Sequence, residues 1–565
     1  MAKTIGIGHQ DFEDIRKNHY FYVDKTNFIR EWWENGDAVT LITRPRRFGK
    51  TLNISMLEKF FSVKYAGRSE LFEGLSVWED ARYRKIQGTY PVLALSFAGV
   101  KENSFQQARK QICQLIVELY RGQAFLLQTG CLNEQEKQEF SAISVDMENY
   151  LAASSLKKLS DYLSRYYGKK VILLLDEYDT PMQEAFISGY WEELAAFLRS
   201  LFNMTFKTNP YLERAVMTGI TRVSRESIFS DLNNLEVVTT TSKKYADCFG
   251  FTEQEVFAAL DAFGLSDRKE EVKRWYDGFT FGDFTDIYNP WSVINYLDKG
   301  KLAAYWANTS SNSLVSKLLQ EGSPEMKKDF EQLLGGHSIR KTIDEQIVFS
   351  QLSKDENAVW SLLLASGYLR VAAYEFDGQS GEESYQFVLT NKEVQMMFAN
   401  MVRGWFTQNQ TEYQEFLKAL LQGDLDAMND YMNRVALTSF SYFDTGKGPA
   451  KEEPERFYHG FVLGLLVELT GRYRITSNRE SGFGRYDVIL EPQNARDDAI
   501  ILEFKVRNPR REKSLEETVQ NALKQIEEKQ YAAELISGGL PKTRIRAYGF
   551  AFEGKKVLIG SPSAL

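Results

Sequence analysis

The chain has 565 residues, well beyond the roughly 150 of a typical domain, so several hydrophobic cores are expected. Its 43% hydrophobic and 26% charged residues exclude general disorder, and 38 glycines with 12 prolines exclude collagen-like or proline-rich material. Three cysteines and four histidines leave no disulfide framework and no Cys/His zinc cluster; a net charge of −8 argues against a surface coated with phosphate-binding groups, though a local basic groove fits.

The N-terminal stretch lacks the apolar core of a secretion signal. The longest apolar runs, VILLL at 171 and FVLGLLVEL at 461, fall short of the roughly 20 residues that span a bilayer. A cytoplasmic protein without a membrane partner is expected. In the first third, strand-like segments at 38–43, 92–97, 171–179 and 214–220 alternate with helical ones such as 104–120 and 190–204. Such alternation predicts an α/β fold with a parallel sheet covered by helices. From about 250 the pattern turns mostly helical, with an aromatic-rich loop at 275–284. Around 358–400 a helix, a strand pair and a second helix suggest a winged-helix-like module. GKGPAKEEPE (446–455) reads as a linker, after which a helix–strand–strand–helix–strand unit runs to the end.

Strand 38–43 is followed by Arg44-Pro45-Arg46-Arg47-Phe48-Gly49-Lys50-Thr51 and then by a helix. A strand–loop–helix ending in Gly-Lys-Thr can wrap backbone N–H groups and a helix N-terminus around a phosphate. Lys50 would reach the β- and γ-phosphates, and the Thr51 hydroxyl would take a coordination site on Mg²⁺. The first glycine of G-x-x-x-x-G-K-[ST] is replaced by Arg44, so an ordinary turn with a surface lysine competes with this reading. A second signal strengthens it. The buried-type run Val171–Leu175 ends in Asp176-Glu177, which puts two carboxylates at the C-terminal edge of a strand, where parallel sheets bind ligands. Asp176 would hold Mg²⁺ through water and Glu177 would polarise the attacking water. Strand 92–97 lies between loop and carboxylates in sequence, as when an extra strand separates them in the sheet. Thr221 and Arg222, after the strand at 214–220, are placed to sense a γ-phosphate, with Arg225 a weaker candidate.

The segments FYVDKT (21–26), RPRRFGKTL (44–52), LLLDEYD (173–179), GITRVSRESIFSDLNNL (219–235), FGFTEQEV (249–256) and WYDGFTFG…YNPWSV (275–293) resemble the AAA-ATPase-like family of bacterial proteins, whose members commonly carry a C-terminal domain of the PD-(D/E)xK nuclease superfamily. The resemblance implies ATP binding, and RPRRFGK is the usual form of the family's loop. With the pattern read above, the expected organisation is an N-terminal P-loop ATPase of the ASCE/AAA-like type (1–245), a helical lid (246–345), a winged-helix-like middle (346–445) and a restriction-endonuclease-like α/β domain (450–565).

Near the C-terminus Asp487 opens one predicted strand, and Glu503 and Lys505 lie two apart on the next, AIILEFKV. Period-two geometry puts Glu503 and Lys505 on one face, and a hairpin would bring Asp487 to them. Two carboxylates suit Mg²⁺ or Mn²⁺, and Lys505 would orient a water and offset charge on a scissile phosphate. Glu480 resembles the family's additional acid, and Gln525 and Tyr531 its supporting residues, with helix packing the competing reading for these two. His459 is read as a core residue. Arg507, Arg510, Arg511 and Lys513 could meet nucleic-acid phosphates, though Glu512, Glu516 and Glu517 dilute the patch. Two functional readings follow. One is an ATP-controlled, Mg²⁺-dependent nuclease acting on DNA or RNA. The other is a nucleotide-switched signalling or assembly ATPase whose C-terminal fold binds nucleic acid or protein without cleaving, with a homo-oligomer or protein partner possible in either case.

Overall fold

The computed structural model describes residues 4–562 apart from 222–227, 230–231, 308–312, 344–351, 353–354, 377, 379–382, 406–409, 440–463, 466, 478–479, 482–483, 486, 495 and 554–555. The chain forms two compact units, residues 1–311 with 340–394, and 312–339 with 395–565. It crosses between them after Ser311, Ile339 and Val394. These boundaries differ from the expected four-part division, because 250–306 packs into the first unit and the helices of 410–439 belong to the second. The expected linker at 446–455 and His459 lie outside the described residues.

The first unit is built on a five-stranded parallel sheet: β1 (Val39–Thr43), β2 (Val92–Ser96), β3 (Val171–Asp176), β4 (Leu212–Gly219) and β5 (Leu235–Val238), in the order β2-β3-β4-β1-β5. Every residue of β1 and of β3 is buried, as expected for strands covered on both faces. The covering helices are α1 (Lys50–Phe61), α2 (Phe105–Arg121), α3 (Asn149–Tyr167), α4 (Thr180–Ser188) and α5 (Trp191–Phe202). A strand does separate β1 from β3, but it is β4; segment 92–97, now β2, forms the far edge. β4 carries both neighbours' ladders, with Leu41 opposite Met217 and Leu175 opposite the same residue.

A small antiparallel sheet of β6 (Phe251–Thr252), β7 (Phe279–Phe281) and β8 (Phe284–Tyr288) follows, then helix α6 (Pro290–Lys299). Asn289 caps α6, accepting from the Trp291 and Ser292 N–H groups, and Pro290 sits at its first position, where the missing N–H costs nothing. The expected helix, strand pair and helix near 358–400 appear as α7 (Glu356–Ala365), an antiparallel ribbon of β9 (Leu369–Phe376) and β10 (Glu383–Leu389), and α8 (Lys392–Trp405). The α7–β9 turn carries Gly367 at φ 81, where a Cβ would lie 2.8 Å from the Pro45 ring; only glycine admits this approach to the loop after β1.

The second unit holds a mixed sheet of β11 (Tyr473–Ser477), β12 (Val488–Pro492), β13 (Ala499–Val506), β14 (Ile545–Glu553) and β15 (Lys556–Gly560) in sequential order, parallel only between β13 and β14. Helix α9 (Leu425–Ser439) covers the free edge of β15. Asn429 exchanges two hydrogen bonds with the Ile559 backbone (2.9 and 2.8 Å) and Asn433 two with Val557 (2.8 and 3.0 Å), so two side-chain amides stand in for a sixth strand. Helix α10 (Leu515–Glu528) packs Val519, Leu523 and Ile526 against Ile489, Ile501 and Ala551 of the sheet. Among the described residues no helix is long and apolar enough to cross a membrane.

Candidate nucleotide and nuclease sites

The loop between β1 and α1 has left-handed backbone at Arg47 (φ 66) and at Gly49 (φ 82), the cap of α1. An arginine in that region is strained by about 1 kcal/mol or more, so its surroundings must hold it there. Phe48 is buried against Phe279 and Phe281, with ring centroids 4.7 and 5.4 Å away, and its carbonyl accepts from the Gly250 N–H. The Asn289 amide donates to the Arg46 carbonyl (3.3 Å) and the Arg47 guanidinium stacks 4.3 Å over Trp291.

Arg44 explains how this loop dispenses with the first glycine. Its side chain is fully buried and bolts the loop to distant backbone, donating to the Thr43 carbonyl (2.9 Å) and the Thr239 carbonyl (2.6 Å) and lying 4.5 Å over the Phe281 ring. No carboxylate of the described residues pairs with it, its Nε has no partner, and burial lowers its pKa to about 9. Lys50 is also buried. Its ammonium donates to the Arg44 and Pro45 carbonyls (2.9 and 2.8 Å), and burial depresses its pKa against the pull of Glu177, Asp176 and Asp179. The loop therefore concentrates two buried cations, neither with a direct ion pair among the described residues, with three carboxylates acting on Lys50 from nearby.

At the carboxylate edge the Thr51 hydroxyl donates to Asp176 Oδ2 (2.7 Å), which puts the two expected Mg²⁺ ligands side by side. Asp176 Oδ1 accepts from Thr218 Oγ1 (2.5 Å), and burial raises the Asp176 pKa. Glu177 sits at φ 51, partly exposed, with Oε2 accepting from Thr180 (3.1 Å). Thr221 is placed otherwise than expected. It is buried, and its hydroxyl and N–H both donate to Asp179 Oδ2 at 2.9 Å, so it supports that carboxylate and has no hydroxyl proton left for a phosphate. Arg222 and Arg225 lie outside the described residues. Thr218 and Asp179 were not singled out from the sequence. Nothing in LLLDEYD or VMTGIT marks them, since their roles depend on β4 lying beside β3.

In the second unit the β12–β13 ladder pairs Val488 with Leu502, and where it stops the Asp487 side chain takes the next donor, the Phe504 N–H (2.8 Å). Glu503 and Lys505 lie on the same side, because Gln525 on α10 reaches both: its amide donates to Glu503 Oε1 and its carbonyl accepts from Lys505 Nζ (2.7 Å). The amide also donates to the Tyr531 hydroxyl (2.9 Å). Glu503 Oε2 is buried without a hydrogen-bond partner among the described residues, and burial, then the charge of Asp487, pushes the Glu503 pKa up to about 8. A buried, unpartnered carboxylate oxygen beside a second carboxylate fits a hard divalent cation. Glu480 lies on a two-stranded ribbon, its backbone paired with Arg485; its side chain is outside the described residues. Arg507 is drawn into its own loop by Glu553 and the Glu512 and Lys513 carbonyls, while Arg510 and Arg511 are exposed.

Comparison with known proteins adds family matches over the two regions that hold these residues. Residues 6–229 match the family described as "predicted AAA-ATPase", and residues 453–561 match the PD-(D/E)XK nuclease superfamily. A curated relative from Azotobacter chroococcum mcd 1, the "uncharacterized protein in vnfD 5'region", is 28% identical over 399 residues, or 69% of this chain and 68% of its own length. The chain therefore carries an AAA-ATPase-like domain in its N-terminal part and a PD-(D/E)XK nuclease superfamily domain at its C-terminus.

Proposed function

We propose that the protein binds and hydrolyses ATP with Mg²⁺ and that nucleotide state controls a metal-dependent phosphodiesterase acting on DNA or RNA. In the first unit Lys50 and the loop N–H groups hold the phosphates, with Arg46, Arg47, Phe48 and Gly49 shaping the loop. Thr51 and Asp176 would hold the Mg²⁺, which would draw charge from the β- and γ-phosphate oxygens. Glu177, free of any salt bridge among the described residues, orients the attacking water. In the second unit Asp487 and Glu503 would hold Mg²⁺ or Mn²⁺, which would supply an activated water at neutral pH. Lys505, kept in place by Gln525, offsets charge as the phosphodiester is attacked. Glu480 is assigned as an auxiliary acid of this site.

The observation that carries the nuclease reading is the buried, partnerless Glu503 oxygen beside Asp487, with a lysine on the same side; a binding platform gains nothing from such an arrangement. The test is cleavage of plasmid and single-stranded DNA and of RNA, with Mg²⁺ or Mn²⁺ and with or without ATP. Wild type is expected to cut and Lys505→Ala to fail while still binding ATP. Equal cutting by both proteins would remove the assigned site, and ATP-dependent assembly without cutting would favour the non-cleaving platform.

A further inference from the structure

The motif YNPWSV, which carries no obvious chemistry, supplies the first turn of α6, and three of its side chains point in two useful directions. Asn289 is fully buried and holds the Arg46 carbonyl while capping the helix. Trp291 carries the Arg47 guanidinium on its ring at 4.3 Å. Stacking occupies the flat face of a guanidinium and leaves its edge N–H donors able to reach a phosphate, so Trp291 can steady Arg47 without competing for its hydrogen bonds. It also supplies a counterweight to the strained φ of 66 at Arg47.

The third side chain faces away from the loop. Ser292, also fully buried, donates to Glu393 Oε2 (2.8 Å), and Glu393 Oε1 accepts from the Trp306 and Ala307 N–H groups (2.6 and 3.3 Å). A second contact path ends at the same place: Phe48 packs on Phe279 (4.7 Å), and Phe279 on Trp306 (5.5 Å). Trp306 and Ala307 shortly precede the crossing into the second unit after Ser311, and Glu393 immediately precedes the crossing after Val394. Glu393 thus ties two of the three crossings to one helical turn that also grips the phosphate loop.

We infer that the first turn of α6 reads the nucleotide: Trp291 is a positioning residue that presents Arg47 to the phosphates, and Ser292 passes the state of the loop to the Glu393 clasp at the chain's exits to the nuclease unit. This rests on the ATP reading above and adds the route by which ATP acts.

Two measurements on the full-length protein test it. In the first, ATP affinity is measured by calorimetry for wild type, Trp291→Ala, Trp291→Phe, Arg47→Ala and the Arg47→Ala/Trp291→Ala pair, with thermal unfolding to confirm that each is folded. Trp291→Ala is expected to weaken binding about fivefold, the size of one cation–π contact, with Trp291→Phe restoring most of it. In the pair, the second change should add nothing to Arg47→Ala. Unchanged affinity in Trp291→Ala, or additive losses in the pair, would overturn the positioning role. In the second measurement, hydrogen exchange is followed with and without ATP. Wild type should gain protection at the Trp306 and Ala307 amides and in the first turn of α8, and Ser292→Ala should bind ATP as well but lose that gain. Protection that persists in Ser292→Ala, or that never appears in a wild type that binds ATP, overturns the relay. A wild type that does not bind ATP would instead end the functional reading on which this stands.

Discussion

The two sites solve opposite electrostatic problems. The phosphate loop buries two cations, Arg44 and Lys50, and stabilises them with carbonyls and an aromatic face; among the described residues neither has an ion-pair partner. The nuclease site buries the carboxyl of Glu503 and leaves one of its oxygens without a hydrogen-bond partner among the described residues. One site buries cations without a direct ion pair among the described residues and the other buries a carboxyl, and both are costly to the fold. In the function proposed above, the first meets a polyphosphate anion and the second a divalent cation.

The sharpest way to break this contrast is to remove the groups that act on reacting atoms. Lys505→Ala and Glu177→Gln should each lose their own activity, by about a hundredfold or more, and leave the other's ligand affinity within a factor of two; steady-state cleavage and phosphate-release assays read this. Loss of ATP hydrolysis in Lys505→Ala, or loss of both ligands' binding from either change, would show one shared site or a folding defect.

Glu503→Gln should stabilise the metal-free protein at neutral pH by about 1–3 kcal/mol, since the folded state must otherwise keep the Glu503 carboxyl protonated with its pKa at about 8 against an ordinary 4.5, and should abolish stabilisation by Mn²⁺. Chemical denaturation in EDTA and in Mn²⁺ checks this. A destabilised variant in EDTA would mean that the Glu503 carboxylate is already satisfied.

The effect expected at the clasp is confined to one pH range. Burial holds the Glu393 carboxyl at about 7, above its ordinary 4.5. Between these values the folded state keeps a proton that the unfolded state has lost, so stability falls as pH rises from about 4.5 to 7 and levels off above. The contribution is on the order of 3 kcal/mol at most. Glu393→Gln should flatten that part of the stability–pH curve, and an unchanged slope would deny the burial effect.

Much of this was legible in the sequence because it is local. β1, β2, β3 and β4 lie within three residues of the expected strands, and the Thr51–Asp176 and Glu503–Lys505 arrangements follow from strand edges and period-two alternation. The rest depends on contacts between distant segments. The replaced glycine at Arg44 was visible, but its reason needs the Thr239 carbonyl, 195 residues away. Thr221 was expected to face a phosphate, and only the position of Asp179 beneath it shows why it does not. β5, four residues long, offers too short a pattern to be singled out. Asn429 and Asn433 read as ordinary polar helix residues, because an open strand edge cannot be seen from the helix that closes it.

The most direct test of the two oppositely charged sites is a crossed calorimetric titration of ATP·Mg²⁺ and of Mn²⁺ into wild type, Lys50→Ala and Asp487→Ala/Glu503→Gln. Lys50→Ala should lose about a hundredfold in ATP affinity and still take up Mn²⁺ at the nuclease site, while the double variant should do the reverse. If Lys50→Ala binds ATP like wild type, or if the double variant still binds Mn²⁺ with wild-type stoichiometry and affinity, the pairing of each buried charge with its guest is wrong.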